Sequence, residues 1–453
     1  MNTQLTSPAA TSLTDLAAAA KSDRNRAVDA YRAVAMGAVA AGHWMAIAIG
    51  RDDEGGLITG NALTFQPSLG WVTWLFQVMP LFFVVGGFSS AMSLDASAAR
   101  NGRDQDWVVA RLRRMVSPAM VLAATWLGLL VFGTMFDAVA GTGLTPLLAA
   151  GAIGAAIPLW FLANYTIDTA IAPYLLPLFR RLPVLVAGAG LAAFAALEAI
   201  RLADLSGLLH YLPYTNWVLG WLLFQVMGFA WRDGLLPTGR QLAAIAVGLW
   251  ALAIGAVALG PWPMAMVHFP GVVDSPTHPP SLALMLFGAA YSATALAFAP
   301  AVSSILARRQ RAWAAVVGAN SMAMSVYLWH LSAAAIAGAL FYGLGWLPTA
   351  EVGTGLWWLQ KLPLMTASLA ILAAIVSVVA RFERNALLAD RTPWHGGPAS
   401  MFATAITLSV GLKLWANPNI AFVVAGMVIV SVLWLTTLTD GSKLSVRTGA
   451  RHI

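Results

Sequence analysis

Long apolar runs separated by short polar segments make up most of the chain. A helix needs about 20 mostly apolar residues to cross a bilayer. That rule predicts twelve spans, at roughly 30–50, 71–93, 115–136, 146–178, 183–203, 215–231, 240–260, 281–305, 318–341, 356–380, 399–415 and 419–439. The fourth is long and holds Pro158, Pro173 and Pro177, so a break or tilt is expected in it. The polar stretches between spans are short. Loop 51–70 carries Arg51, Asp52, Asp53 and Glu54, and loop 261–280 is rich in proline with His268 and His278. So much proline predicts an irregular, stiff cover over an outward cavity. Trp357, Trp358 and Trp415 fall near span ends, as interface anchors do.

Composition agrees with this pattern. Of 453 residues, 59% are hydrophobic and only 10% charged, and mean hydropathy is +0.74. A soluble domain carries about 25% charge. The reading is an all-α polytopic membrane protein. The net charge of +7 sits in clusters between spans, which suits lipid headgroups and topology and gives no reason to expect nucleic acid. If the N-terminus is cytosolic, 21 of the 26 Lys and Arg residues fall on the cytosolic side and 4 outside, with Arg32 inside the first span. So uneven a split predicts both termini inside. With no cysteine, disulfides, thiol nucleophiles and thiolate-bound metals are excluded. Residues 1–23, rich in Ser, Thr and Ala, are expected to form a mobile cytosolic tail rather than a signal peptide.

Polar groups inside the spans are the candidates for chemistry, because charge at membrane depth is costly. The first span carries Asp29, Arg32 and His43. Arg32 and His43 lie within ~20° of one helix face and ~16 Å apart along the axis, with Asp29 within ~60°. An imidazole there can take a proton from a hydroxyl and return it to a leaving group. A charged helix start followed by a satisfied core histidine is the plainer reading. Arg111, Arg113 and Arg114 cluster at the mouth of the third span, where guanidinium forks suit phosphates or simply anchor the helix. Tyr327 and His330, three apart in the ninth span, either line a pocket or join helices. Trp160, Tyr165 and Asp168 share the fourth span; Asp168 needs a partner, for which Arg32 is a candidate. Gly86 and Gly87 beside aromatics predict close helix packing, and Glu198 with Arg201 a local ion pair. No phosphate-binding loop, HExxH or nucleophile elbow is present, and no metal site is expected.

Taken together these residues resemble the membrane-bound acyltransferase family 3. The likeness rests on Arg32 and His43 separated by ten residues, Pro80-Leu-Phe-Phe83 with Gly86-Gly87-Phe88, Arg111-x-x-Arg114 before Pro118, Trp160-Phe161-Leu162, and Tyr327-Leu-Trp-His330, in the family's order. The Gly86-Gly87 pair stands where many relatives have Ser-Gly. The resemblance implies transfer of an acyl group, acetyl above all, from cytosolic acyl-CoA to a hydroxyl of an extracytoplasmic carbohydrate or glycolipid of the cell envelope. It implies a plasma-membrane enzyme in which His43 is the catalytic histidine and Arg32 its motif partner. Asp29 is expected beside them. Arg111 and Arg114, with Arg113 between them, would serve acyl-CoA. Tyr327, His330, Asp168, Tyr165 and Trp160 are pocket candidates. The organisation expected is a tail at 1–23, a ten-helix core over 24–398, and two further helices with a cytosolic tail over 399–453. The rival reading is a proton-coupled secondary transporter of a small solute or lipid, with Asp168 and His43 as a proton relay.

Overall fold

The structure, a computed structural model, describes residues 24–52, 54–269, 276–388 and 395–448. The tail at 1–23, the loop segment 270–275 and the last residues 449–453 lie outside them. Sixteen longer elements follow one another: α1 (Arg26–Ala46), β1 (Ile47–Arg51), β2 (Leu57–Asn61), α2 (Met79–Ala98), α3 (Asp104–Ala140), α4 (Leu144–Ala156), α5 (Leu159–Arg181), α6 (Pro183–Leu202), α7 (Asn216–Arg232), α8 (Gly239–Leu259), α9 (Leu282–Arg308), α10 (Gln310–Ser321), α11 (Ala323–Leu344), α12 (Gly355–Leu388), α13 (Pro398–Trp415) and α14 (Ile420–Thr448). Among the described residues, eight helical stretches are long and apolar enough to cross a membrane. The protein is a multi-pass helical membrane protein.

Two local features depart from uninterrupted helices. The long fourth run is broken at Ile157 and Pro158, which divide α4 from α5. The first span ends at Ala46, earlier than its hydropathy suggests. Ile47–Arg51 instead pairs antiparallel with Leu57–Asn61, Ile47 opposite Asn61. This hairpin is held to the bundle by Arg51 N–H donating to Pro348 O at 2.8 Å and Trp357 Nε1 donating to Ile49 O at 3.3 Å. Apolar β-branched residues suit both a helix in lipid and a strand, so hydropathy alone does not separate the two.

Packing sets α1 among α2, α9, α10 and α11. The helix starts at Asn25, whose side chain accepts from the N–H groups of Ala27 and Val28. Glycine allows the closest helix approach. A Cβ on Gly87 of α2 would lie 2.1 Å from the Gln225 carbonyl of α7, and one on Gly228 would lie 2.1 Å from the Val84 carbonyl. At one end of the bundle, Arg180 of α5 pairs with Asp95 of α2 at 2.7 Å and Asp233 after α7 at 2.8 Å. Toward the end where the hairpin lies, Glu198 accepts from Arg201, Trp262 Nε1 and Leu282 N. The pair expected at Glu198 and Arg201 therefore also ties both ends of the α8–α9 connection to α6.

Candidate active site

α1 carries candidate side chains at both of its ends. Near its start, Asp29 is buried and accepts from Arg24 Nε at 2.8 Å and from Arg32 Nη1 at 3.5 Å. Asp29 and His43 are fourteen residues apart, ~21 Å along a helix. The structure does not bring them together, so Asp29 orients Arg32 and not the imidazole. Arg32 extends to α2, where Nη2 donates to Ser89 Oγ at 2.7 Å.

Arg111 of α3 arrives at the same place. Its Nη2 donates to Ser89 O at 3.4 Å and to Ser93 Oγ, and its guanidinium lies 4.3 Å from the centre of the Trp107 ring. Trp107 Nε1 in turn donates to Ser93 Oγ at 3.1 Å. Two sequence motifs 79 residues apart thus converge on one turn of α2. Arg32 and Arg114 lie close enough to Arg111 for their charges to repel, with Tyr165 near. Neutral serine groups and an indole hold Arg111 in place, which leaves its charge available to an anion. Arg114 is exposed, its Nε donating to Ala110 O at 3.3 Å. Arg113 is turned about 200° from Arg111 around the helix. It is buried in the bundle and does not join the cluster. Sequence reasoning missed Ser89, Ser93 and Trp107. A serine pair just after the Gly86-Gly87 contact was the available signal.

At the other end of α1, His43 meets α11. His43 Nδ1 is 2.7 Å from His330 Nε2. The ring planes differ by 5° and their centroids are 5.0 Å apart. That separation is the nitrogen–nitrogen gap plus one ring radius at either end, so the imidazoles lie edge to edge in one plane. His330 Nδ1 is 2.6 Å from Tyr327 O. A carbonyl only accepts, so His330 carries its hydrogen on Nδ1. Its neutral ring then has a bare Nε2, and His43 donates from Nδ1. His43 Nε2 is left with a free lone pair, the atom a general base needs. These hydrogens are assigned from the network of partners. His330 is fully buried, and its own carbonyl accepts from Trp44 Nε1 at 2.9 Å. His43 keeps some accessible surface although protein surrounds it.

The remaining pocket candidates divide. Tyr327 O–H donates to Pro158 O at the α4–α5 break, and its ring packs 5.6 Å from Phe161. Trp160 lies 5.4 Å from Trp221 and 6.3 Å from His278. Tyr165 packs on Phe83 and Phe161 and fills the space that a side chain on Gly86 would take. Asp168 is fully buried, but neither carboxylate oxygen has a hydrogen-bond partner. Arg32 is not its partner, because Arg32 is held by Asp29 and Ser89. The Asp168 backbone carbonyl accepts from Gln225 Nε2 at 3.2 Å.

Lys361 of α12 is only 1% exposed. Its Nζ donates to Met45 O at 2.9 Å and to Ile47 O, and lies 4.3 Å from the Trp357 ring centre. An ammonium bound to the last carbonyls of α1 completes that helix C-terminus just past His43. A lone lysine within an apolar run next to two tryptophans was the signal.

Residues 25–382 match the family described as Acyltransferase domain, Acyl_transf_3. The chain belongs to acyltransferase family 3. The match spans α1 to most of α12 and takes in the arginine cluster and the histidine pair of this acyltransferase; α13 and α14 come after it. Comparison with curated proteins and with solved structures gives no match.

Proposed function

We propose that this acyltransferase moves an acyl group, acetyl above all, from cytosolic acyl-CoA to a hydroxyl on an extracytoplasmic carbohydrate or glycolipid of the cell envelope, in the plasma membrane with both termini cytosolic. The observation that carries the reading is the one-directional hydrogen-bond chain Tyr327 O, His330, His43, which ends on a free Nε2.

The arginine cluster fits the donor. Acyl-CoA supplies an activated thioester carbonyl and several phosphates. Arg32, Arg111 and Arg114 offer three guanidinium groups for those phosphates. The thioester must then reach along α1 for the ~16 Å that separates Arg32 from His43.

His43 Nε2 takes the acceptor hydroxyl's proton as the oxygen attacks the thioester carbonyl. The carbon–oxygen bond forms, the carbon–sulfur bond breaks, and His43 hands the same proton to the departing sulfur. While His43 is charged, His330 Nε2 accepts from its Nδ1–H, and Tyr327 O holds His330 in the tautomer that permits this. Lys361 keeps the end of α1 in place. The transporter reading finds less support, since no hydrogen bond among the described residues joins Asp168 to His43.

The test is incubation of purified protein with labelled acetyl-CoA and envelope carbohydrate or lipid extracts. Label transfer that is lost in His43→Ala is the expected result. Folded protein that binds no CoA and transfers no label across a broad acceptor panel would overturn the reading.

A further inference from the structure

α13 lies beyond the residues that match the family, yet it is built into the bundle. Ser409 Oγ donates to Ala163 O of α5 at 2.9 Å, and Trp415 is 1% exposed. A Cβ on Gly426 of α14 would sit 2.3 Å from the Trp415 backbone nitrogen, so the two helices pack closely. This packing delivers Lys413 to the side of α7, where Nζ lies 4.2 Å from the centre of the Trp217 ring. No carboxylate pairs with Lys413 among the described residues.

Lys413 does not stand alone. The rings of His268 and His278 are 5.1 Å apart, and the charge of Lys413 reaches both. His278 keeps accessible surface although protein crowds it, as does Trp160 beside it. These groups form one cluster, with the two histidines on the described ends of the loop after α8. A continuous series of ring contacts joins the cluster to the base: His278 to Trp160 at 6.3 Å, Trp160 to Phe161 at 6.4 Å, Phe161 to Tyr327 at 5.6 Å, Tyr327 to His330 at 6.2 Å and His330 to His43 at 5.0 Å.

The chemistry of this cluster is selective. Indole faces stack on the C–H face of a sugar ring. Neutral imidazoles can both donate to and accept from hydroxyls. An ammonium without a counter-ion takes a carboxylate or phosphate. The structure assigns Lys413, with Trp160, Trp217, His268 and His278, to an acceptor subsite for an anionic carbohydrate, one whose sugar bears a carboxylate or phosphate. This rests on the acyltransferase reading above and adds the acceptor's charge. It also gives α13 a function: it brings a cation to a cluster whose other members, Trp160, Trp217, His268 and His278, lie within the matched residues.

Saturation-transfer NMR on the purified full chain in neutral detergent tests the assignment. The probes are methyl glucuronide, glucose 6-phosphate, methyl glucoside and inorganic phosphate. The two acidic sugars are expected to bind more tightly than methyl glucoside. Lys413→Gln should weaken them by about tenfold, the scale of one charged hydrogen bond, and leave methyl glucoside unchanged. Lys413→Arg should keep the preference, which separates loss of charge from loss of fold. Equal binding of glucuronide and glucoside, or a preference that survives Lys413→Gln, overturns the proposal. Inorganic phosphate that binds as tightly as glucose 6-phosphate also overturns it, because the sugar would then contribute nothing. CoA binding is measured on the same samples. CoA binding without an acidic-sugar preference removes the subsite alone, and the preference without CoA binding removes the acyltransfer reading alone.

Discussion

His43 Nδ1 and His330 Nε2 are 2.7 Å apart, and only one of these two nitrogens can carry the hydrogen between them. The Tyr327 carbonyl decides which, because it takes the hydrogen on His330 Nδ1. The two residues are 287 positions apart in the chain, and α1 and α11 bring them together.

His43→Ala should abolish transfer, since a positioned general base contributes about 10²–10⁴-fold. His330 acts through His43, so His330→Ala should lower kcat about 10²-fold with KM for acetyl-CoA little changed. His330→Gln can still present an oxygen to His43 Nδ1–H and should recover part of that loss. Steady-state kinetics on the three variants, with acetyl-CoA as donor, read this out. A rise in KM alone for His330→Ala would show that His330 serves binding and not the base.

Arg111→Ala should weaken CoA binding by about 10- to 100-fold, the range for a lost charge-assisted hydrogen bond. Arg111→Lys should not restore it. A lysine keeps the charge but not the planar guanidinium that lies over Trp107 while its Nη2 donates to Ser89 O and Ser93 Oγ and its other nitrogens stay open to an anion. Titration calorimetry with CoA checks both variants, and unchanged affinity in Arg111→Ala would remove the donor site from this cluster.

Lys361→Met keeps the apolar stem and removes the ammonium. The carbonyls of Met45 and Ile47 then lose a donor, at roughly 1–3 kcal/mol for each one left unsatisfied. The expected result is a lower melting temperature in detergent together with a lower kcat, because His43 lies in the last turn of the same helix. Unchanged thermal unfolding would mean that water replaces the ammonium.

Gly87→Ala and Gly228→Ala should each prevent α2 and α7 from packing. The added methyl meets a backbone carbonyl at 2.1 Å, which no rotamer change relieves. The penalty should be at or above the usual 1–3 kcal/mol of overpacking. Size-exclusion profiles and melting curves would show it as aggregation or early unfolding. Gly37→Ala on α1 has open space for its methyl and is the control.

Stability should fall as pH drops below 6.5. Burial pushes the His278 imidazole down to about 3, with the Lys413 ammonium and His268 adding to it, and burial with Lys413 also lowers His268. His278 stays neutral in the folded protein down to about 3, while the same residue in the unfolded chain takes up a proton near 6.5, and His268 shifts in the same direction. The unfolded state therefore binds more protons between those values, and stability is lost as pH falls through the window. Melting curves at pH 7 and pH 5 should differ less for His278→Gln than for the natural protein.

Hydropathy and proline placement fixed much of the architecture in advance. A polar backbone in lipid must satisfy itself, so apolar runs of about 20 residues become helices whatever their neighbours. The break at Pro158 follows from the same local chemistry. Residue type and spacing also marked Arg32, His43, Arg111 and His330, because polar groups at membrane depth stand out against an apolar background. What each of them touches was not legible, since a contact depends on how helices pack and not on the run that forms each one. Asp29 shares a face with His43 but lies at the far end of the helix. Asp168, for which Arg32 was one candidate partner, pairs with no cation among the described residues. Lys361 and Lys413, alike in sequence as stray outer charges, differ in role because α12 turns one onto the carbonyls that end α1 and α13 turns the other onto Trp217. The direction of the hydrogen bond between His43 and His330, on which the proposed chemistry depends, comes from a backbone carbonyl. Every residue has such a carbonyl, and only the tertiary structure decides which one is placed to accept.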